Sequence, residues 1–386
     1  KKILYLLKFL LMVSGLAMKK KIKNKRNIKI SRRNALIGGA SSILLSSALA
    51  KPAISKGIRR LTMTHTWPKN FPGLGTSPER IAKHINQATD GEIEIKVYAA
   101  GELVPAFEAL DAASIGVADM YNGAEYYFQG KNIGFNFFTS VPFGMTANEL
   151  NAWIDHGGGK ELWNKLSAQF NVISFQSANT GVQMGGWFNK EITNIDDLKG
   201  LKIRMPGLGG EVLRRVGSAA VAIPGGEIYP ALQSGAIDAT EWVGPWNDLA
   251  FAFYQVAKFY YWPGFHEPGA GLVTGVNLDT WNSLTNTQRE IFKNVFSHEN
   301  TFTLAEFNHH NSIALNTLIN KHGVQMRSFS KEIMNELKLK SNEVLEDVAT
   351  KDPISNEIYL SFMDNLKRLR NWSKHSELAY MASRED

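Results

Sequence analysis

Apolar and polar positions follow two different periods in the part of the chain after residue 57. Residues 61–67 and 92–98 alternate with the two-residue period of a strand, whereas residues 78–88 and 105–115 carry apolar side chains at helical spacing. Residues 117–121 form a further short apolar run. This succession of strands and helices predicts βαβ units and a largely parallel sheet.

The same rhythm returns further along the chain and predicts a second α/β half. Predicted strands lie at residues 172–175, 185–188, 201–204 and 236–242, and predicted helices at 148–170, 209–216 and 227–234. Long helices are then predicted at residues 287–295, 301–321, 330–351 and 354–374. Two similar halves followed by helices predict an α/β fold of two lobes with a cleft between them. Small ligands bind in clefts of this kind, near the carboxyl ends of the strands.

Charge is distributed unevenly along the 386 residues. The first 50 residues contain 12 Lys and Arg and no acidic residue, which leaves 31 basic and 36 acidic residues in the remainder. The net charge of +7 therefore reflects the N-terminal segment. The mildly acidic remainder argues against nucleic-acid binding, which needs basic residues to neutralise phosphates. The chain has no cysteine, which excludes disulfides, thiol catalysis and cysteine-ligated metals.

The N-terminal segment has the organisation of an export signal. A basic stretch ending in Arg32-Arg33 precedes a weakly apolar run over residues 35–49, and the motif at residues 48–50 is Ala-Leu-Ala, as at a cleavage site. We interpret residues 1–50 as this signal, and the paired arginines indicate twin-arginine export to the periplasm. An ordinary secretory signal and an uncleaved membrane anchor are the alternatives. Residues 1–17, which precede Met18, are interpreted as an over-long gene start.

Arg204, Glu241 and Trp242 are candidates for contact with a small carboxylate. Arg204 lies on a short predicted strand between apolar neighbours, and its guanidinium can hold a carboxylate through two parallel hydrogen bonds. Glu241 and Trp242 follow a helix, a glycine and a predicted strand, where a carboxylate can bind a cation and an indole can form an apolar wall. A structural ion pair and a core tryptophan are the alternatives.

Polar and aromatic residues elsewhere extend this set. Asn179 and Gln183 lie between a predicted strand and a glycine pair, and their amides offer neutral oxygen ligands for Na⁺ or Ca²⁺. A plain polar turn is the alternative. Tyr126 and Tyr127 follow a strand and a turn, where they line the cleft or belong to the core.

Six segments together carry a resemblance to a known family. They lie at residues 99–105, 152–159, 179–188, 197–205, 225–232 and 237–245. The chain resembles a solute-binding protein of tripartite ATP-independent periplasmic (TRAP) transport, of the DctP type, from about residue 58 to about residue 375. HGGG at 156–159 and NTGVQMGGWF at 179–188 are similar to the branch that binds α-keto acids.

The resemblance implies a fold as well as a function. It implies a two-lobed, type II-like periplasmic binding protein with crossing strands, a long helix that spans both lobes, and a helical C-terminus. Lobe I is then expected at residues 58–180 and 272–318, and lobe II at 181–271 and 319–350. The C-terminal helix and tail follow at 351–386, and they are compatible either with a homodimer or with packing on their own lobe.

The resemblance also implies a role for each candidate residue. Arg204 matches the arginine that clamps the substrate carboxylate. Gln183, Glu241 and the main-chain carbonyl of Trp242 match groups that hold a Na⁺ or Ca²⁺ ion bridging protein and substrate, so Gln183 and Trp242 also border the substrate. The remaining matches line the pocket and are Tyr126, Tyr127 and Asn179.

Two departures from the family pattern mark where substrate size or metal preference is expected to change. Glu125 stands where a small polar residue is expected before the tyrosines. The segment His266-Glu267-Pro268 replaces a more aromatic stretch near the cleft.

The resulting hypothesis is a periplasmic receptor without enzymatic activity. It is expected to capture a small 2-oxo acid such as pyruvate, or a 2-hydroxy acid, and to deliver it to the membrane subunits of a TRAP permease. An exported sensory module is one alternative. An exported hydrolase or lyase, with Glu241 as base and Arg204 as substrate anchor, is another, but the sequence offers no convincing nucleophile or general acid for it.

Overall fold

Residues 57–384, which are described by a computed structural model, contain strands in two mixed sheets. The strands are β1 Arg59–His65, β2 Ile93–Tyr98, β3 Met120–Gly123, β4 Val172–Asn179, β5 Gly186–Phe188, β6 Lys202–Arg204, β7 Ala219–Val221, β8 Ala239–Thr240, β9 Phe259–Trp262, β10 Gly271–Asn277 and β11 Gln325–Ser328. The first sheet has the order β2-β1-β3-β10-β4, and the second has the order β11-β9-β5-β8-β6-β7.

The export segment predicted at residues 1–50 lies outside the described residues, and so do the predicted gene start at 1–17 and the pair Arg32-Arg33. Residues 385–386 are also outside them. Within residues 57–384, every helix is too short or too polar to cross a membrane.

The βαβ pattern is correct for one part of each sheet. Strand β1 is parallel to β2 and β3, and β6 is parallel to β7 and β8. Each sheet also contains antiparallel pairs. In the first sheet β10 is antiparallel to β3 and β4, and in the second β5 is antiparallel to β8 and β9. All seven residues of β10 are buried, so its sequence shows no alternation that would have predicted it.

Helices cover both sheets and form the C-terminal part of the described chain. They are α1 Thr76–Ala88, α2 Ala109–Ser114, α3 Asn136–Thr139, α4 Ala147–His156, α5 Gly159–Ser167, α6 Gly207–Arg215, α7 Gly225–Ser234, α8 Pro245–Ala250, α9 Leu278–Ser283, α10 Asn286–Asn320, α11 Lys331–Ala349, α12 Pro353–His375 and α13 Glu377–Ser383. Helix α12 packs with Phe362 against Trp153 at 5.1 Å and Phe137 at 5.2 Å between ring centroids. The predicted helical C-terminus is therefore present.

Helix α10 corrects the prediction of two separate helices at 287–295 and 301–321. It runs unbroken for 35 residues, because no glycine or proline interrupts the polar stretch at residues 297–301. It begins at Thr285, whose side chain accepts a hydrogen bond from the main-chain N–H of Gln288 at 3.2 Å. Asn311 accepts from the main-chain N–H of Trp246 in α8, while Asn179 at the end of β4 donates to Thr303. The helix therefore contacts β4 of the first sheet and α8, which follows β8 of the second.

Several short elements were not predicted from the sequence. They are strands β7, β9, β10 and β11 and helices α3, α8 and α9. The predicted strand at 236–242 is reduced to the two residues of β8. Each of these segments is too short or too evenly buried to show a period.

The chain crosses from one sheet to the other at residues 180–185 and again at 263–270, which we call the crossover segments. They lie side by side: the main-chain N–H of Thr180 donates to Ala270 at 3.1 Å, and that of Gly264 donates to Gln183 at 3.1 Å. A Cβ on Gly264 would lie 2.5 Å from the Gln183 carbonyl oxygen, so only glycine permits this approach. The bounds of the two lobes remain a prediction.

The close packing of β10 on β3 yields a prediction about stability. A Cβ at Gly275 would overlap the buried ring of Tyr121. We expect Gly275→Ala to lower the free energy of unfolding by roughly 1–3 kcal/mol, because the ring must leave its rotamer. Urea denaturation measures this. Gly226→Ala in α7 is the matched control, since its Cβ would meet no described heavy atom within 4 Å, and equal losses in both variants would contradict the prediction.

Candidate functional site

The two crossover segments meet the carboxyl ends of β6 and β8. Polar side chains from both segments and from both strand ends converge there. Strand register sets Arg204 beside Thr240, so that Glu241 follows directly next to it. The main-chain N–H of Glu241 donates to the Arg204 carbonyl at 3.1 Å, and that of Gln183 donates to Glu267 at 3.1 Å. The candidate site therefore lies between the two sheets.

Arg204 is fully buried and lies at the centre of this site. One guanidinium nitrogen donates to the Glu241 carboxylate, and the other terminal nitrogen donates to the Tyr127 hydroxyl at 3.2 Å. Nε donates to the Ile223 carbonyl at 3.3 Å. Burial lowers the pKa of Arg204, but Glu241 and the two tyrosines have the larger combined effect and raise it above its ordinary value. The guanidinium is therefore a fixed positive charge.

Glu241 is also fully buried and faces two partners. One carboxylate oxygen pairs with Arg204, and the other lies 3.2 Å from Nε2 of His266 in the second crossover segment. His266 is buried as well, and its Nδ1 has no hydrogen-bond partner among the described residues. The carboxylate is thus held by strand β6 on one side and by the second crossover segment on the other.

Trp242 forms an aromatic wall beside the arginine. Its ring lies 5.1 Å from the Arg204 guanidinium, as in a cation–π contact, and packs edge-on against Trp67 at 6.2 Å. The following residue is held by Asp248, which accepts from the main-chain N–H of Val243 at 3.4 Å. The backbone that carries the Trp242 carbonyl is therefore anchored on its C-terminal side.

Gln183 presents an amide oxygen that lacks a partner. Its Nε2 donates to Glu267 at 2.7 Å and to Thr180 at 3.0 Å, while Oε1 is buried and accepts no hydrogen bond from a described residue. A buried carbonyl oxygen without a donor is costly unless another group, such as a cation, satisfies it. Gln183 therefore fits the ligand role that the family resemblance implies.

Glu267 belongs to the site and was not selected from the sequence. Its carboxylate, that of Glu241 and the His266 ring each offer one ligand atom, and these atoms lie within 4.8 Å of one another. Burial raises the pKa of Glu267 well above its usual range, and the charge of Glu241 raises it further. The departure at His266-Glu267-Pro268 was the available signal, because it places a carboxylate in a crossover segment.

Tyr126 and Tyr127 reach the site from the first sheet. They lie on a short 3₁₀ helix, Glu125–Phe128, that follows β3. The Tyr127 hydroxyl accepts from Arg204, and the two rings meet edge-on at 4.8 Å. Burial raises the pKa of Tyr127 to about 12, so the phenol remains neutral near pH 7. Tyr127 is therefore brought to Arg204 with Tyr126 packed against it, and the pocket-lining role of both tyrosines remains a prediction.

Asn179 lies at the end of β4, where the first crossover segment begins. Its Oδ1 accepts from the main-chain N–H of Gly181 at 2.8 Å, which shapes the turn. Its Nδ2 is buried and has no acceptor among the described residues. Asn179 therefore stabilises a polar turn with its oxygen and keeps an unpaired N–H donor. A structural turn and a contact with a ligand are thus compatible roles for this residue.

Glu125 does not face Arg204, contrary to the expectation that it adjusts the substrate pocket. Its carboxylate accepts from Trp163 at 2.7 Å, from the Tyr121 hydroxyl at 3.0 Å and from Ser174 at 3.3 Å. Its main-chain N–H donates to Thr139 at 2.7 Å. The side chain is thus buried in the core of the first sheet, and it anchors the 3₁₀ helix of the tyrosines from behind.

Comparison with known proteins adds the family to this geometry. The model of bacterial extracellular solute-binding protein, family 7 (DctP) matches residues 63–352. The chain belongs to this family. A curated relative of this DctP-family protein, the monocarboxylate 2-oxoacid-binding periplasmic protein of Nostoc sp., is 42% identical over 321 residues, which are 83% of this chain and 88% of the relative.

Solved structures show the same fold. The TRAP periplasmic solute-binding protein of Pseudoalteromonas atlantica, with bound sodium and pyruvate, is 37% identical at a TM-score of 0.83 and covers 85% of this chain and 100% of its own. That of Colwellia psychrerythraea, with bound calcium and pyruvate, is 39% identical at a TM-score of 0.82, with the same coverage. This DctP-family protein therefore has the two-lobed α/β fold of TRAP solute-binding proteins.

The burial of Glu125 predicts a pH-dependent difference in stability. Burial raises its pKa from 4.5 to about 7, although three donors oppose the shift. Because the folded pKa is raised, the stabilising contribution is complete below pH 4.5 and is lost as the pH rises through about 7. We expect wild type to lose about 3 kcal/mol relative to Glu125→Gln across this window.

Urea denaturation of both proteins from pH 5 to pH 8 measures the difference. The exposed Glu346→Gln in α11 controls for the loss of one negative charge. A difference between wild type and Glu125→Gln that stays constant with pH would contradict the buried, proton-binding carboxyl.

Proposed function

We propose that the protein captures a small 2-oxo monocarboxylate such as pyruvate, or a 2-hydroxy acid, together with Na⁺ or Ca²⁺, and delivers it to the membrane subunits of a TRAP permease. The observation that carries this proposal is the convergence of Arg204, Glu241, Trp242 and Gln183 in one buried site between the sheets. The relatives with pyruvate and a cation support it.

Arg204 is the proposed anchor of the ligand carboxylate. A buried carboxylate needs a paired opposite charge, because an unpaired buried ion costs several kcal/mol. The guanidinium is buried and fixed by strand β6, and a planar fork matches both oxygens of a carboxylate. The Tyr127 hydroxyl beside it offers a further hydrogen bond.

Gln183, Glu241 and the Trp242 carbonyl are the proposed cation ligands. Amide, carboxylate and main-chain oxygens are the donors that hard cations such as Na⁺ and Ca²⁺ prefer. The partnerless Oε1 of Gln183 supports this assignment. A 2-oxo or 2-hydroxy acid offers the bound cation one carboxylate oxygen and the neighbouring oxygen in a five-membered chelate ring, so one ion can join ligand and protein.

Pocket walls limit the ligand to a small acid. Trp242 and Tyr126 are buried large rings, Tyr127 is a partly buried one, and Asn179 adds a buried amide at the crossover. We propose that Asn179, Tyr126 and Tyr127 line the ligand as the family resemblance implies.

Export and delivery follow from the same proposal. The predicted signal in residues 1–50 directs the chain to the periplasm by the twin-arginine route, and the two lobes, with the bounds predicted from the sequence, close on the ligand before the permease accepts it. The matching family model and the solved relatives are those of solute-binding proteins, which supports a receptor over the rival exported hydrolase or lyase. We therefore propose a receptor that releases its acid unchanged, which NMR of the bound acid over time can test.

Replacement of Arg204 tests the ligand anchor. We expect Arg204→Lys to weaken pyruvate binding by roughly 10- to 100-fold, because one ammonium cannot replace the two-pronged hydrogen bonds of the guanidinium. Isothermal titration calorimetry with Na⁺ and Ca²⁺ present measures the affinity. The exposed Arg368→Lys in α12 is the matched control and should bind as wild type does.

Unchanged affinity in Arg204→Lys, with a wild-type circular dichroism spectrum, would contradict the proposed anchor. Absence of pyruvate and lactate binding by wild type would contradict the proposed function itself.

We also infer that the C-terminal helices mediate a homodimer. Trp372, Leu378 and Tyr380 are large apolar side chains of α12 and α13, and they are exposed at 68%, 62% and 66%. We expect light scattering to show a dimer of the wild type, and Leu378→Glu with Tyr380→Glu to convert it to a monomer. Leu339→Glu in α11, which replaces another exposed leucine, should remain dimeric. A wild type that is monomeric at every concentration would contradict this inference.

A further inference from the structure

Trp67 packs against both aromatic rings that contact Arg204, and it was not selected from the sequence. It follows β1, and its ring lies 6.0 Å from that of Tyr127 and 6.2 Å from that of Trp242. Tyr127 follows β3 of the first sheet and accepts a hydrogen bond from Arg204, whereas Trp242 follows β8 of the second and lies 5.1 Å from the guanidinium. One indole therefore supports an aromatic ring from each half of the site.

A buried hydrogen-bond network fixes the indole of Trp67. Its Nε1 donates to Oδ1 of Asn122 on β3 at 3.0 Å, and Nδ2 of Asn122 donates to Thr274 on β10 at 3.1 Å and to Ser177 on β4 at 3.4 Å. The two hydroxyls are themselves hydrogen-bonded at 2.7 Å, and all four side chains are buried. Because a buried polar atom that loses its partner is costly, this network resists any displacement of the indole.

The main chain of Trp67 is held as well. Its N–H donates to Nδ1 of His65 at 3.3 Å, and its carbonyl accepts from the N–H of Ala100 at 3.0 Å. Burial lowers the pKa of His65 to about 4, so the ring is neutral near pH 7 and its Nδ1 can accept this hydrogen bond. The first sheet and the loops that follow β1 and β2 therefore fix both the backbone and the side chain of Trp67.

Trp242 is packed on further sides in addition to its contact with Trp67. Phe71 and Phe251 meet its ring edge-on at 6.1 Å and 5.2 Å, and a Cβ added at Gly225 would lie 2.4 Å from it. An outward shift of this ring would therefore displace several packed neighbours, which a close-packed interior opposes.

We propose that Trp67 is a positioning residue that sets how closely Tyr127 and Trp242 approach the bound acid, and that it thereby restricts the site to 2-oxo acids with a short side chain. The inference rests on the proposed function of the same site. Rings that pack on a fixed indole cannot separate freely, so each methylene that an acid adds beyond pyruvate must displace a packed ring.

Replacement of Trp67 by a smaller ring tests the restriction on length. Trp67→Phe remains aromatic but is smaller and lacks the N–H that binds Asn122. Isothermal titration calorimetry with pyruvate, 2-oxobutanoate and 2-oxopentanoate, with Na⁺ and Ca²⁺ present, measures the affinities. We expect wild type to bind more weakly as the acid lengthens, and the ratio of pyruvate affinity to 2-oxopentanoate affinity to fall by at least about tenfold in Trp67→Phe.

Trp153→Phe in α4 is the matched control. Trp153 is also fully buried and donates its indole N–H, to Ser361 at 3.1 Å, but its ring packs on Phe138 and Phe362. This variant should lose stability and keep the wild-type ratio of affinities.

A double-mutant cycle separates positioning from a merely structural role. Asn122→Ala removes the acceptor of the indole N–H, so we expect it to lower the same ratio when Trp67 is present. In Trp67→Phe, which has no N–H to hold, the added Asn122→Ala should change the ratio no further. A network that supported only folding would lower the melting temperature and leave the ratio of affinities unchanged.

The outcomes distinguish the inference from the function on which it rests. Equal affinity of wild type for the three acids, or a wild-type ratio in a Trp67→Phe variant with an unchanged circular dichroism spectrum, overturns the role of Trp67 and leaves the receptor function intact. If Trp67→Phe does not fold, the ratio in Asn122→Ala decides, and a wild-type value there overturns the role. Failure of wild type to bind any of the three acids overturns the proposed function instead.

Discussion

The pairing of Arg204 with Glu241 inside the protein is the interaction on which the rest of the site depends. Neither charge is exposed, and a buried ion without its partner is unstable by several kcal/mol. Parallel pairing of β6 with β8 places the two residues beside each other, and the hydrogen bond from Tyr127 on the first sheet completes the arrangement. The site therefore depends on the strand register of the second sheet and on the contact that Tyr127, which follows the first sheet's β3, makes with it.

The crossover segments explain why residues far apart in the chain form one site. Gln183 and Glu267 are separated by more than 80 positions, yet their main chains are hydrogen-bonded to each other. The glycine at 264 permits that approach, and His266 of the second crossover segment then contacts Glu241 at the end of β8. A small acid and a cation bound there, as proposed, would contact the segments that join the two sheets.

Local sequence pattern predicted the βαβ parts and the C-terminal helices, and the family resemblance implied the set of residues around Arg204. It did not predict β10, whose seven residues are all buried, because a strand covered on both faces has no alternation. Nor did it predict that Glu125 turns away from Arg204 towards Trp163, since neighbours in sequence on a 3₁₀ helix can face opposite sides. Glu267 was missed because its partners lie on other segments, which no local period reveals.

The long unbroken helix α10 has a mechanical consequence. Beside the crossover segments it forms a third connection, from the end of β4 to α8, which follows β8 of the second sheet. A rotation of one sheet relative to the other would therefore have to bend this helix or break its hydrogen bond with Asn179 or with Trp246.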